Sequence, residues 1–575
     1  MARVRSTLRL VTLLCLLLSG SGVVAARLFW LQVMDSNRMS AMAAEQRLRT
    51  LTLPAQRGSI LASDGTELAI SMDTQTVYAS PREVMDARAA AEALAPILAV
   101  DTGKLETKLS GDSGFVYLAR RQDVEIGDQV KALKIPGIGL LPEPKRFYPS
   151  GPLAAQVLGF VGDENKGLGG LESAYDALLT GVPGKAVTER DPAGRVIPVG
   201  VSSVQDAVQG NDLILTIDKQ IQYEAEAALA RAVKAWSAHG GTIIVMEPST
   251  GDILAMANNP TFDPNDLRSS DAGARRNRAV VDVLEPGSVS KMVTAAAALE
   301  SRVTTPDEVM RVDDKLKIGS KLFTDSHPHP VQHLSFSQVI QSSSNVGTIK
   351  VAERLGKEGL HEYLGRFGYG RKTGLNFPGE SAGILPDPEK WWQTSLGTIA
   401  IGQGVAVTPL QMARAYATLA NDGVEVPPNL IKATRDAGGR SHPAKPPQGT
   451  RVIQAETART LTEMLVGVTD SRPGTGSAAA IPGYRVAGKT GTAQKPRLGA
   501  AGYSGYMASF VGFAPADDPR LVVSVVLDDP VPFLAGETAA ITFKEVMQFS
   551  LRRLGVQPET GRVVQGTTLG APPAE

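Results

Sequence analysis

Between Leu10 and Ala26 no charged residue interrupts the chain, and with the Arg27 side chain reaching back toward water the apolar run continues to Leu31. A membrane-spanning helix needs about 20 apolar residues, so residues 10–31 are expected to span a bilayer. Arg3, Arg5 and Arg9 precede the run. The positive-inside rule then places residues 1–9 in the cytoplasm and the rest of the chain outside. A cleaved signal peptide would have a shorter apolar core ending at a small-residue site; here "RLFWLQV" follows "VVAA" directly and prolongs the apolar character. No other run approaches spanning length. Cys15 lies inside the segment and reads as an inert apolar residue.

From residue 32 to residue 210 short β-like runs alternate with Gly and Pro turns. "GSILASDGTELAI" is a hairpin pattern with Asp64-Gly65 at its tip, and "VYLARR" reads as a strand. "RMSAMAAEQRLRTL", Arg38 to Leu51, reads as a helix leading away from the membrane. This region has few nucleophile–base groupings and is expected to be structural.

The pattern changes near Asn211. "NDLILTID" alternates as a strand, and Asp218 is placed to cap the amphipathic helix "KQIQYEAEAALARAVKAW". "GTIIVMEPSTGDILAMA" is two apolar strands joined by a turn, hence a hairpin. A long helical middle follows, then strands at Val486–Gly491, Ala508–Phe513 and Leu521–Leu527. Residues 211–555 are therefore expected to form an α+β domain with helices packed on an antiparallel sheet. The Gly/Pro/polar tail, 556–575, is expected to be disordered.

Bulk properties narrow the function. A chain of 575 residues is too long for one core. The 59 basic and 59 acidic residues balance, which gives no support to a nucleic-acid binder. One cysteine excludes intramolecular disulfides and CxxC zinc sites. His327, His329 and His333 cluster in "SHPHPVQH", but two prolines break the spacing. The group reads as a solvated loop, with no metal or cofactor expected.

Chemistry enters at "EPGSVSKMVTAAAALE". Glu285-Pro286-Gly287 is a helix-start signal before a strongly helical run. Ser288 and Lys291 lie three apart on that helix and share a face. A serine hydroxyl needs a base to become a nucleophile, and a lysine becomes one when burial and nearby positive charge lower its pKa. Ser288 is the only serine in the chain with lysine three residues later. Ser343-Ser344-Asn345, in "QSSSNVGT", is the only Ser-x-Asn. Its hydroxyl and carboxamide can relay a proton and hold a substrate amide; the same group reads as a helix N-cap cluster.

Lys-Thr-Gly occurs twice. Lys489-Thr490-Gly491 continues the alternating stretch "YRVA", and Gly488 and Gly491 allow close backbone approach. A strand edge there can pair with a peptide, with Lys489 and Thr490 holding a carboxylate. Lys372-Thr373-Gly374 sits among glycines with a proline soon after, and reads as a turn. The set S-x-x-K, S-x-N and K-T-G, in the order Ser288, Ser343, Lys489, is the signature shared by class A β-lactamases and penicillin-binding proteins; Ser344 at the central position points to the latter.

On these motifs the chain resembles the class B monofunctional penicillin-binding proteins, and most of all their division-specific, FtsI-type peptidoglycan D,D-transpeptidases of Gram-negative bacteria. "RGSI", "DGTELA", "FYPSGPLAAQVLGFVG", "EPSTGDILAMANNPTFDPN" and "IGQGVAVTPLQMARAYATLANDG" extend the resemblance over nearly the whole chain. The family's usual "STVK" is "SVSK" here, so Ser290 replaces an apolar residue. The resemblance implies a transmembrane helix, an elongated mixed α/β pedestal over 32–210, and a serine β-lactamase-like transpeptidase domain. It implies that Ser288 attacks the D-Ala-D-Ala bond of a pentapeptide stem and that β-lactams acylate it, with Lys291 as base. Ser343 and Asn345 would assist proton transfer, and Lys489 and Thr490 would bind the terminal carboxylate. The backbone N–H groups of Ser288 and Thr492 would form the oxyanion hole. No cofactor is implied. An FtsW-type glycosyltransferase and other division proteins are the implied partners, at the inner membrane, with the catalytic domain in the periplasm and a role at the septum.

Two rival readings follow from the same residues. A β-lactamase or carboxypeptidase would pass the acyl group to water, and Glu380 in "FPGESAG" is the nearest candidate for a deacylating carboxylate. A membrane-anchored scaffold or β-lactam sensor would carry several spans and a cytoplasmic effector, whereas this sequence has one span and about ten residues before it.

Overall fold

A computed structural model describes residues 2–35, 38, 48–189, 202–470, 474–496 and 502–558. The chain forms two compact units, each built from several segments: Met1–Gln56, Asp73–Pro144 and Gly181–Gln209 in the first, and Arg57–Met72, Lys145–Thr180 and Gly210–Glu575 in the second.

In the first unit the apolar run is a helix, Ala2–Phe29, continued by a π-helical turn over Trp30–Met34. The stretch Thr7–Met34 is long and apolar enough to cross a membrane, and its apolar side chains are exposed. A three-stranded antiparallel sheet places Gln75–Ala79 between Val116–Gln122 and Ile138–Pro142. Helices Ala87–Leu98 and Thr102–Leu109, capped by Asp86 and Asp101, complete a small core of Val77, Leu94, Leu105 and Leu118. The helix expected over Arg38–Leu51 lies mostly outside the described residues. Its last four residues instead belong to the strand Leu48–Leu53, which pairs with Gly184–Glu189: a β-branched, alternating end outweighs helix propensity once a partner strand is present.

The second unit draws residues 57–72 and 145–180, expected in the pedestal, into one body with residues beyond 210. The reason is strand pairing. Ile60–Leu61 and Glu67–Met72 form the expected hairpin. Ile60–Leu61 then runs parallel to Asp212–Leu215, which pairs with Ile431–Arg435, while Glu67–Met72 pairs with Lys145–Phe147. Just before the strand Ile60–Leu61, the Arg57 side chain is fully buried. It donates to Glu172 Oε2 at 2.6 Å and Asp176 Oδ1 at 2.7 Å, while Arg146 donates to Glu172 Oε1 at 2.7 Å. Glu172, itself fully buried, is shared by two arginines.

The centre of this unit is a five-stranded antiparallel sheet. Its strands are β1 (Gly240–Met246), β2 (Ile253–Asn259), β3 (Ala487–Pro496), β4 (Tyr503–Ala514) and β5 (Leu521–Asp528), in the order β2-β1-β5-β4-β3. The sheet is covered on both faces, so β1, β2 and β5 are largely apolar, with alternate residues in different cores. Ile243, Val245, Val523 and Val525 meet Leu229 of α1 (Lys219–Ala235) and Phe543 of a later helix, Ala539–Arg553. Ile244, Met246 and Val522 join Met292 and Val293 of α2 (Lys291–Glu300). The same core continues into α3 (Asn345–Arg366) and α4 (Pro409–Ala420). Asp218 caps α1 as expected, accepting from the N–H groups of Gln220 and Ile221. The tail beyond residue 558 lies outside the described residues.

Removing one member of a buried ion cluster strands its partners without water. Glu172→Ala leaves the buried Arg146 guanidinium without a carboxylate and Arg57 with Asp176 alone, and is expected to lower the stability of the second unit by about 3–5 kcal/mol, read as a shift in chemical-denaturation midpoint of the full chain in detergent.

Candidate active site

The sequence Pro286-Gly287 starts a 3-10 turn, Gly287–Ser290, that runs straight into α2. Ser288 sits in its first turn, where backbone N–H groups have no intrahelical acceptor. The turn is held from two sides. Tyr416 Oη donates to the Val289 carbonyl at 3.0 Å. The Gly287 N–H donates to the Gly402 carbonyl at 2.9 Å. Gly402 has φ +80°, and a Cβ there would lie 2.0 Å from the Gly287 carbonyl oxygen, so only glycine fits.

Strand β3 comes against this same turn. A Cβ on Gly491 would lie 2.7 Å from Val289 Cγ2 and 2.9 Å from the Pro286 carbonyl oxygen. The third residue of Lys489-Thr490-Gly491 is therefore a glycine because the strand must touch the Ser288 turn. Among the described residues β3 is the edge of its sheet, paired only with β4, so alternate backbone groups face outward. Thr492 Oγ1 accepts from the Ala535 N–H at 3.4 Å.

The Lys291 side chain is fully buried at the start of α2. Its Nζ donates to the Ser343 carbonyl at 2.6 Å, to Asn345 Oδ1 at 2.7 Å and to Ser343 Oγ at 3.3 Å. The i, i+3 spacing allowed a direct meeting with Ser288; in this structure the amine's bonds go to the Ser-x-Asn group instead, and the Ser288 hydroxyl has no hydrogen-bond partner among the described residues. Burial brings the Lys291 pKa down to about 7, with the Asp325 carboxylate opposing the shift. Lys489 is also fully buried, and burial together with the Lys291 charge holds it well below the ordinary lysine value. Lys489 Nζ reaches Thr490 Oγ1 at 3.4 Å.

Ser343, Ser344 and Asn345 are both a cap and a site. Ser343 adopts a left-handed conformation, φ +61°, which turns its carbonyl and hydroxyl to Lys291. Ser344 is the N-cap of α3, accepting from the Gly347 N–H. Asn345 donates through Nδ2 to the Thr324 carbonyl at 2.8 Å, which leaves Oδ1 for the lysine.

Two residues that sequence reasoning missed complete the geometry. Asp325 accepts from the backbone N–H groups of Asn345 and Val346 at 2.5 and 2.9 Å and from Ser344 Oγ at 2.7 Å. Its position just before "SHPHPVQH" was the available signal. Thr475 Oγ1 meets Thr490 Oγ1 at 2.8 Å; nothing local in the sequence marks it. The other Lys-Thr-Gly lies outside any strand, with a bend at Gly374 (φ +92°): the Thr373 N–H and hydroxyl both donate to Glu380 Oε1, at 2.7 and 2.5 Å. Glu380 is thereby occupied. Among the described residues no group of His, Cys, Asp and Glu is arranged to hold a metal.

Residues 241–548 match the model of the penicillin-binding protein transpeptidase domain, and residues 52–215 that of the penicillin-binding protein dimerisation domain. The chain is 38% identical to the penicillin-binding protein PbpB of Mycolicibacterium smegmatis, over 94% of this chain and 89% of that one. It is 34% identical to the peptidoglycan D,D-transpeptidase FtsI of Escherichia coli K12, over 95% and 91%. Among solved structures, penicillin-binding protein 3 of Mycobacterium tuberculosis in complex with aztreonam is similar with TM-score 0.71 and 32% identity, covering 90% of this chain and all of that one. The chain belongs to the class B penicillin-binding proteins.

Lys291 supplies a sign-specific test. Its folded pKa, about 7, lies below the unfolded value of 10.5. Between these values the unfolded chain binds the extra proton, so stability rises with pH. Relative to Lys291→Met, the native chain is expected to gain up to about 1.4 kcal/mol per pH unit as pH rises from about 7 toward 10, measured by denaturant titration of both proteins across that range.

Proposed function

We propose that this protein is a membrane-anchored serine D,D-transpeptidase that crosslinks peptidoglycan stem peptides. The observation that carries the reading is the buried Lys291 amine, hydrogen-bonded to Ser343 and Asn345 and packed one turn from Ser288. A lysine with its pKa near 7 is substantially unprotonated at neutral pH and can act as a general base. In the proposed cycle Lys291 takes the proton of Ser288 as the hydroxyl attacks the carbonyl of the penultimate D-Ala. The oxyanion is held by the N–H groups of Ser288 and Thr492. Collapse breaks the peptide bond, a proton passes to the leaving amine through Lys291 and Ser343, and D-Ala departs. An amine of a second stem then attacks the ester, Ser288 recovers its proton, and the crosslink is released. β-Lactams, acting as acyl-donor mimics, stop at the ester.

Lys489 and Thr490 are assigned the terminal carboxylate. Lys489 is held well below its ordinary pKa by its burial and by the Lys291 charge. An incoming carboxylate supplies the missing countercharge, pulls the proton onto Lys489, and is gripped for that reason. The donor stem is read as lying along the open edge of β3, and Asn345 as holding its amide.

The run Thr7–Met34 and the FtsI-type relatives support an inner-membrane protein with a cytoplasmic N-terminus and a periplasmic catalytic domain. The first unit is assigned the contacts with an FtsW-type glycosyltransferase and other septal proteins. Hydrolysis of the acyl group is the weaker reading, since Glu380 is bonded to Thr373.

Incubating the full chain with benzylpenicillin is expected to give a long-lived adduct on Ser288 by peptide mass spectrometry, absent in Ser288→Ala. A fast-decaying adduct, or one on another residue, overturns the transpeptidase reading. Lys489→Ala is expected to slow acylation by at least about tenfold through loss of one charge-assisted contact.

A further inference from the structure

His329 belongs to the histidine group that the sequence left as a solvated loop, yet its side chain is mostly covered, 13% exposed. Both ring nitrogens face acceptors. Nδ1 lies 2.6 Å from the Pro330 carbonyl oxygen, and Nε2 lies 3.1 Å from Asp325 Oδ2. A carbonyl and a carboxylate can only accept, so both contacts are hydrogen bonds only when both nitrogens carry protons. The geometry therefore selects the imidazolium. The Pro330 bond, with the Asp325 and Asp314 carboxylates, holds the ring's pKa above the ordinary histidine value.

Asp325 connects this cation to the active site. Its carboxylate clamps the first turn of α3 through Ser344, Asn345 and Val346, and its negative charge favours protonation of Lys291. We propose that His329 is a positioning residue for the reaction: as an imidazolium it balances the Asp325 charge, so that Lys291 is left less strongly tied to its proton and the Ser-x-Asn turn stays in place. The inference rests on the reading of Lys291 as base. The charged groups facing His329 are Asp325 and Asp314, the latter with Lys315 at 3.9 Å. The charged group acting on Lys291 is Asp325, and the Lys291 charge in turn acts on Lys489. His327, on the same loop, bonds only Ser326 at 3.1 Å.

The test is the pH profile of Ser288 acylation by benzylpenicillin, followed by time-resolved mass spectrometry of the full chain in detergent. His329→Gln keeps a hydrogen-bond donor but removes the charge. It is expected to move the acid limb up by about half a pH unit, roughly threefold in rate on that limb, with the high-pH plateau retained. His329→Arg, which restores a cation, is expected to move the limb back. An unmoved limb in His329→Gln overturns the proposal, whether the rate is unchanged or lowered equally at every pH; so does failure of His329→Arg to restore it while His329→Arg still reaches the plateau. Acylation of the native chain reports on Ser288 and Lys291 independently, since their failure abolishes the signal rather than shifting it.

Discussion

A lysine amine kept out of water is the constraint around which the catalytic unit is arranged. Burying an ammonium costs several kcal/mol unless it is paired or loses its proton. Here the acceptors offered to Lys291 are a carbonyl, an amide oxygen and a hydroxyl, none of them charged. The one nearby carboxylate, Asp325, is turned toward the start of α3, where backbone N–H groups absorb its charge. The site thus gives the amine enough hydrogen bonding to fix it and too little countercharge to keep it protonated. A second buried amine, Lys489, is held well below its ordinary pKa by its own burial and by the Lys291 charge.

Holding such a group needs rigid surroundings, and the fold supplies them by packing α2 between other elements. Residues 291–298 are all buried, so the helix has no polar face to float on. The turn before it is pinned by Tyr416, by Gly402 and by the contact of Gly491. Ser343, one of several non-glycine residues in the left-handed region, puts such a conformation at the site itself. That conformation directs both its oxygens to the amine.

Much of this was legible in the sequence because the chemistry sits on local signals. Ser288 with Lys291, Ser343 with Asn345, and the strand-borne Lys489 were separable from the copy at Lys372 by their flanking patterns alone. The apolar alternation of residues 240–259 and 521–527 announced the sheet, and Asp218 announced α1. What stayed hidden depends on tertiary proximity. Asp325 and Thr475 carry no periodic or capping signature, and the charge state of His329 follows only from two acceptors that folding brings to its ring. The strand at Leu48–Leu53 was read as helix because its partner lies more than 130 residues away. The boundary near residue 210 marks a real change of pattern, but a pattern change does not reveal which strands pair across it.

The long separation of these paired strands shapes how the chain is made and handled. Arg57 and the Ile60–Leu61 strand belong to the catalytic body but are synthesised about 150 residues before Asp212, whose strand pairs with Ile60–Leu61. Translation from residue 57 must therefore proceed well past 210 before that sheet can close, and the closure carries the entropy of a long loop. A recombinant fragment starting at residue 211 would lack one of the two neighbours of its first strand, Ile60–Leu61, and the cluster of Arg57, Arg146 and Glu172. Any excised version meant to be soluble and active has to begin upstream of Arg57.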